Sequence, residues 1–209
     1  YGNNVRFENC TFIQTSSDAY NVWTYGAKNV VFEGCTFNSA GKSVLVYHEA
    51  SSFESVVTLN ECTLNASVPV EGKAAIEIDG SLVKKFTVNI NSTVANGFAA
   101  GSKSKSTLWN VKKGEEKADV YVDGHKMYAD GVGLEDGVYL LYDAAGMNWF
   151  ANQVNGTPKN TFKDETVKLA ADIDLENAEW APIGTKTYAF KGIFDGNEKT
   201  IENLKTQIS

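Results

Sequence analysis

A six-residue phrase with a cysteine at a fixed place occurs three times in this chain. It reads FENCTF at 7–12, FEGCTF at 32–37 and LNECTL at 59–64, all of the form apolar-x-x-Cys-Thr-apolar. Cys10, Cys35 and Cys62 stand 25 and 27 positions apart. A fainter fourth copy, INSTV at 90–94, puts Thr93 where the cysteine stood. A second series runs beside the first: YNVWTY (20–25), SVLVY (43–47), AAIEI (74–78) and TLWNV (107–111). Apolar residues in these runs recur at every second position, the period of a β-strand, whereas helical repeats need spacings of three and four. One such unit cannot bury its own apolar face, so the units must stack, with strands ~4.8 Å apart. The repetition therefore predicts an all-β fold, a parallel β-solenoid.

Stacking aligns equivalent side chains. Phe7, Phe32 and Leu59 form one expected core column, and Phe12, Phe37 and Leu64 another. The cysteines form a third. Buried reduced thiols, a disulfide between neighbouring coils and a thiolate metal site are the three readings of that column. The C-x-x-C spacing of common metal sites is missing. Aromatic residues cluster in or beside the second series. If the alternation turns Trp23 and Tyr25 outward, they, Tyr47 and His48 form a contact surface for a glycan or a packing partner; if inward, they are core.

Composition narrows the function classes. The 209 residues suffice for one large domain or two small ones. The formal charge is −7 and Arg6 is the only arginine, which argues against nucleic acid as a partner, since phosphate neutralisation needs clustered cations. SKSKS at 102–106 reads as a solvated basic turn. No apolar run is long enough to span a membrane, so no membrane insertion is expected. Tyr1 in first place suggests a mature or excised piece of a longer chain.

The pattern changes near residue 130. ADVYVDGHKMY (118–128) reads as a hairpin turning at Asp123-Gly124. Asp143 can cap a helix over 144–155, in which Met147, Phe150 and Val154 share a face. Strands then resume in ETVKLAADIDL (165–175), WAPIG (180–184) and FKGIFDGNEKTIENL (190–204), with FDGN at 194–197 as a turn using Gly196 for a positive φ. The run from about 145 to 204, with its D-I-D-L, W-x-P-I-G and F-x-G-x-F-D-G-N-x-x-T-I-x-N-L elements, resembles the opening of GLUG-type, pectin-lyase-like β-helices of gut bacterial surface proteins. The first section resembles the closing coils of right-handed β-helices in Bacteroides-like surface proteins and their phages. The resemblance implies a right-handed parallel β-helix with one short capping helix, located outside the cell on a cell or virion surface.

Opening coils come last in this chain and closing coils first. Residues 1–131 are expected to form the closing coils, and 132–209 the capping helix and opening coils. Permutation, head-to-tail assembly of copies and excision from a tandem array all account for that order. The two bare coil edges, with Val5, Phe7 and Phe12 on one and Phe194, Ile201 and Leu204 on the other, are expected to stack on each other, 190–209 against 1–12, within one chain or between successive chains. The expected partner is the chain itself, with glycans as a second class.

Enzymes of the resembled fold combine several acidic residues on adjacent coils with a basic residue. The glycoside hydrolase alternative needs two carboxylates in one groove, and the lyase alternative a base beside acidic Ca²⁺ ligands. Asp123 and His125 lack such companions, and His48 with Glu49 lacks a third group. Asp172 and Asp174 share a strand face and could hold Ca²⁺, or simply end a strand. The expectation is a non-catalytic structural or adhesive module with no cofactor or metal. A polysaccharide lyase or glycoside hydrolase is the alternative.

Overall fold

The computed structural model describes residues 3–156 and 159–206. The chain divides into two compact units, with the boundary after Lys126.

The first unit is a parallel β-solenoid of three strands per coil. Its first coil comprises β1 (Asn4–Glu8), β2 (Thr11–Ile13) and β3 (Val22–Trp23). The second holds β4 (Asn29–Glu33), β5 (Thr36–Ser39) and β6 (Val44–Tyr47). The third holds β7 (Glu54–Asn60), β8 (Thr63–Ala66) and β9 (Ile76–Asp79), and the fourth β10 (Lys85–Asn91), β11 (Val94–Asn96) and β12 (Trp109–Lys113). Equivalent strands pair in parallel, so β1-β4-β7-β10, β2-β5-β8-β11 and β3-β6-β9-β12 form three faces. A further strand, β13 (Ala118–Val122), joins the first face, and β14 (His125–Ala129) folds back on it antiparallel. Asp123 and Gly124 both have positive φ, as a two-residue type I′ hairpin requires.

The repeated phrase is the first corner of each coil. Phe7 pairs with Phe32, Phe32 with Leu59 and Leu59 with Ile90, one column of the core. Phe12, Phe37 and Leu64 form the second. Phe7 lies flat on Phe32 at 5.2 Å and Phe12 on Phe37 at 4.9 Å. Between strand and cysteine sits a corner residue with positive φ: Asn9, Gly34, Glu61 and Ser92 in successive coils. Gly34 is the tight case, because a Cβ there would stand 2.7 Å from the Asn9 side-chain oxygen.

The three cysteines are free, and Cys35 and Cys62 are buried. Each thiol donates to the carbonyl two residues before it, at 3.3–3.4 Å. Cys35 and Cys62 also reach back one coil, to the carbonyls of Phe7 and Phe32. Thr93 makes the same two bonds with its hydroxyl, to Asn91 and Leu59, which is why threonine can stand in this column. Asparagine side chains within the strands hydrogen-bond from coil to coil: Asn29 to Asn4, Asn91 to Asn60, and Asn96 to Asn65 to Asn38.

The second unit starts with β15 (Val132–Glu135) and β16 (Val138–Leu141), an antiparallel hairpin. The helix α1 (Ala144–Asn155) follows, at the expected place. Asp143 caps it by accepting from the Gly146 N–H at 2.9 Å. Met147, Phe150 and Val154 are buried, in one cluster with Phe162, Val167 and Leu169. Two coils come next: β17 (Thr166–Leu169), β18 (Ile173–Asp174) and β19 (Glu179–Trp180), then β20 (Ile193–Asp195), β21 (Ile201–Glu202) and β22 (Lys205–Thr206). β20, β21 and β22 pair in parallel with β17, β18 and β19 respectively.

Four expectations need correction. The stretch 165–175 is two strands, because the chain turns a coil corner at Ala170–Asp172. In WAPIG only Trp180 lies in a strand. In the 194–199 turn the positive φ angles fall on Asn197 and Glu198 rather than Gly196, and the Asp195 carboxylate accepts from the Asn197 N–H. The SKSKS segment is more than a solvated loop. Ser104 and Ser106 are buried, and Ser104 donates to the Trp109 carbonyl.

Candidate functional site

The third face of the first unit carries the chemically richest surface. At the end of β3 and in the two residues after it, alternation turns Trp23 and Tyr25 outward while Thr24 between them is buried. Trp23 is 56% exposed, far more than a core indole would be. Tyr47, at the end of β6, completes a triangle. Its ring centroid is 5.8 Å from Trp23 and 6.1 Å from Tyr25, and Trp23 and Tyr25 are 5.6 Å apart. His48 stacks on Tyr25 at 4.6 Å, and Phe53 backs His48 at 3.9 Å. The His48 Nδ1 accepts the Ala50 N–H, which fixes the ring plane. The Tyr47 hydroxyl donates to Glu49 at 2.8 Å, and this bond pushes the phenol up to about 12. The four residues expected as a contact surface are therefore brought together.

Sequence reading missed what lies beside them. In register, Leu45 pairs with Glu77, Glu77 with Asn110, and Tyr47 with Asp79. Ile76 and Ile78 fill the core, so Glu77 and Asp79 both face outward on β9. Yet Glu77 is fully buried. It accepts the Ala74 N–H at 2.9 Å and the Asn110 amide at 3.2 Å, and Lys73 stands 3.6 Å away. The Asn110 oxygen in turn holds the Lys103 and Ser104 N–H groups, so the 101–106 loop lies over this strand. Burial pushes the Glu77 carboxyl up, against the Ala74, Asn110 and lysine contacts that lower it. Burial also acts on Asp79, but bonds from Ser81 together with Lys112 outweigh it and hold the carboxyl low. Tyr20, nearby, is pushed up to about 12 by burial and by these two carboxylates. Two carboxylates with opposed shifts is the pattern of an acid–base pair. Glu77, however, has no accessible surface through which to touch a substrate. The signal for this pair was present in AAIEIDG (74–80), but only the register shows which residues cover it.

The other candidates are occupied structurally. Asp123 accepts the Ser92 N–H at 2.7 Å, and His125 is exposed beside it. Asp172 accepts the Thr200 N–H, and Asp174 accepts from Glu176 and Asn203, so both join successive coils of the second unit. A hollow of about 400 Å³ on the first face, lined by Lys28, Glu54, Val56, Lys85 and Thr87, contains one carboxylate, Glu54, which is paired with Lys84. No group of three or more His, Cys, Asp or Glu with metal-binding geometry occurs among the described residues.

The outermost coils among the described residues are apolar. In the first unit, Val5, Phe7 and Phe12 are only half-buried, whereas Val30, Phe32 and Phe37 one coil on are 0–3% exposed. In the second unit, Phe194 is 40% and Leu204 49% exposed, and Ile201 is half-buried. With Met147, Phe150 and Phe190 they line a hollow of about 330 Å³.

No family model, curated protein or solved structure matches this chain. Among the described residues, no helix is long and apolar enough to cross a membrane.

Proposed function

We propose that the chain is a non-catalytic structural module of a fibrous surface protein, and that its open coil ends are covered head to tail by coils of the same kind. One observation carries this reading. Side chains that are fully buried in the second coil have half-exposed equivalents in the first, and β1 and β20 each pair on one side only among the described residues. An uncovered edge of this sort is a template for further strands. Both units place three strands per coil in the same order, so a first coil of one copy fits a last coil of another without changing the pattern. The resemblance to β-helices of bacterial and phage surface proteins supports an extracellular location.

Lyase or hydrolase activity is disfavoured by the burial of Glu77 and Asp79, the carboxylates with opposed shifts among the described residues. Sedimentation and electron microscopy of the purified chain test the proposal. Polymers that lengthen with concentration support it, and a monomer at every concentration overturns it. An assay for unsaturated or reducing ends released from pectin and polygalacturonate should read zero. Turnover that Asp79→Asn abolishes would reinstate the enzyme.

A further inference from the structure

We propose that Trp23, Tyr25 and Tyr47 form a stacking platform for a neutral, β-linked oligosaccharide of glucose- or xylose-type pyranoses. The platform lies on the outward side of the third face of the first unit, in its first and second coils.

The argument begins with the cost of exposure. A tryptophan left 56% exposed gains little from folding, and its neighbour Tyr25 is 38% exposed. The rings are nonetheless held firmly. Phe53, His48 and Tyr25 form a continuous stack, the His48 ring is fixed by the Ala50 N–H, and the Tyr47 hydroxyl is fixed by Glu49. An exposed aromatic group that is rigid loses little entropy when a flat ligand lands on it.

Ring spacing decides between ligand classes. A quaternary ammonium needs an open space ringed by aromatic faces. Here the three centroids are 5.6–6.1 Å apart, the distance at which rings touch one another. Trp23 and Tyr47 are inclined by only 32°, while Tyr25 stands edge-on to Trp23 at 73° with one face on His48, so no open cage is left between the rings. What fits is a ligand with its own flat apolar face. Pyranoses with all hydroxyls equatorial present C–H groups on both faces and hydroxyls around the rim. The rim of the platform is polar and acidic where the exposed Glu49 carboxylate borders Tyr47. That charge repels polyuronates and accepts hydrogen bonds from neutral sugars.

Cellohexaose and xylohexaose are the probes, with a galacturonate oligomer as the acidic control. Binding is followed by tryptophan fluorescence and titration calorimetry. At least one neutral hexaose should saturate with a dissociation constant on the order of 1 mM or tighter. Trp23→Ala and, separately, Tyr25→Ala should weaken it roughly tenfold or more, as for a central contact residue. Circular dichroism should stay unchanged in both variants, since both side chains are exposed. Val5→Lys, at the open edge, should leave sugar binding intact even where it changes the oligomeric state, so the two proposals fail separately. No saturation by either neutral hexaose overturns the platform. So does equal binding of the galacturonate oligomer, or burial of Trp23 in a protein complex that sugar does not displace.

Discussion

Phenylalanines one coil apart occupy the same place in the repeat but face different surroundings. Phe32 is fully buried, and Phe32→Ala should cost ~3–5 kcal/mol in chemical denaturation, as for large core residues. Phe7→Ala should cost clearly less while its coil is uncovered. Thiol reactivity should follow the same gradient. Burial pushes the Cys62 thiol up to about 11, so at pH 8 it holds almost no thiolate. Maleimide labelling of the native protein, mapped by mass spectrometry, should reach half-buried Cys10 well before Cys62. Glu77 gives a pH signature of unusual sign. Its carboxyl is raised in the folded state, so its contribution is fully present below the ordinary glutamate range and is lost as pH rises through the raised value. Asp119 acts in the opposite direction. Burial lifts it, but bonds from Lys126 and Lys85 outweigh that, so its contribution is lost as pH falls through the lowered value. Thermal melts should show stability declining as pH rises above the ordinary glutamate range, and Glu77→Gln should flatten that decline. A decline unchanged in the variant would refute this assignment of Glu77.

Elements that repeat were legible, and elements defined by what covers them were not. The phrase around Cys10, Cys35 and Cys62 marked strand, corner and strand in each coil, because a two-residue period and a fixed corner are local properties of sequence. The helix was legible too, from Asp143 and the spacing of Met147, Phe150 and Val154. Asp143→Ala should therefore destabilise the second unit by about 0.5–2 kcal/mol, the usual cost of losing an N-cap. A loss outside that range in denaturant titrations would mean that the cap is not the main role of Asp143. By contrast, Glu77 and Asn110 alternate outward on β9 and β12, and the period alone assigns them to solvent. Both are fully buried, since the 101–106 loop lies across the face and bonds to Asn110. Long-range packing of this kind leaves no periodic trace. Trp23 and Tyr25 fell between the two cases: alternation linked their orientations but could not say which way both pointed.

At the scale of the whole molecule, the proposed head-to-tail contact fixes how copies would meet. In that proposal the first coil of the first unit meets the last coil of the second unit of another copy, and the two surfaces are different. An interface made from them is heterologous and propagates unless it closes. Moving Val5, Phe7 and Phe12 from half to full burial adds on the order of 1 kcal/mol each, and the apolar hollow beside Phe194 and Leu204 gains likewise. The heterologous geometry makes a prediction that a symmetric dimer cannot imitate. Val5→Lys buries an unpaired charge at one edge, and Phe194→Lys does so at the other. Either variant alone retains one competent edge with no complement, so each should sediment as a monomer. Mixed in equal amounts, the intact last coil of the first variant meets the intact first coil of the second. The mixture should form two-chain complexes and stop there, while the unmodified chain continues to polymers. Analytical ultracentrifugation of the four samples checks this. Discrete dimers from a single variant would show a symmetric interface instead, and a mixture that remains monomeric beside a polymerising parent would place the contact away from these edges.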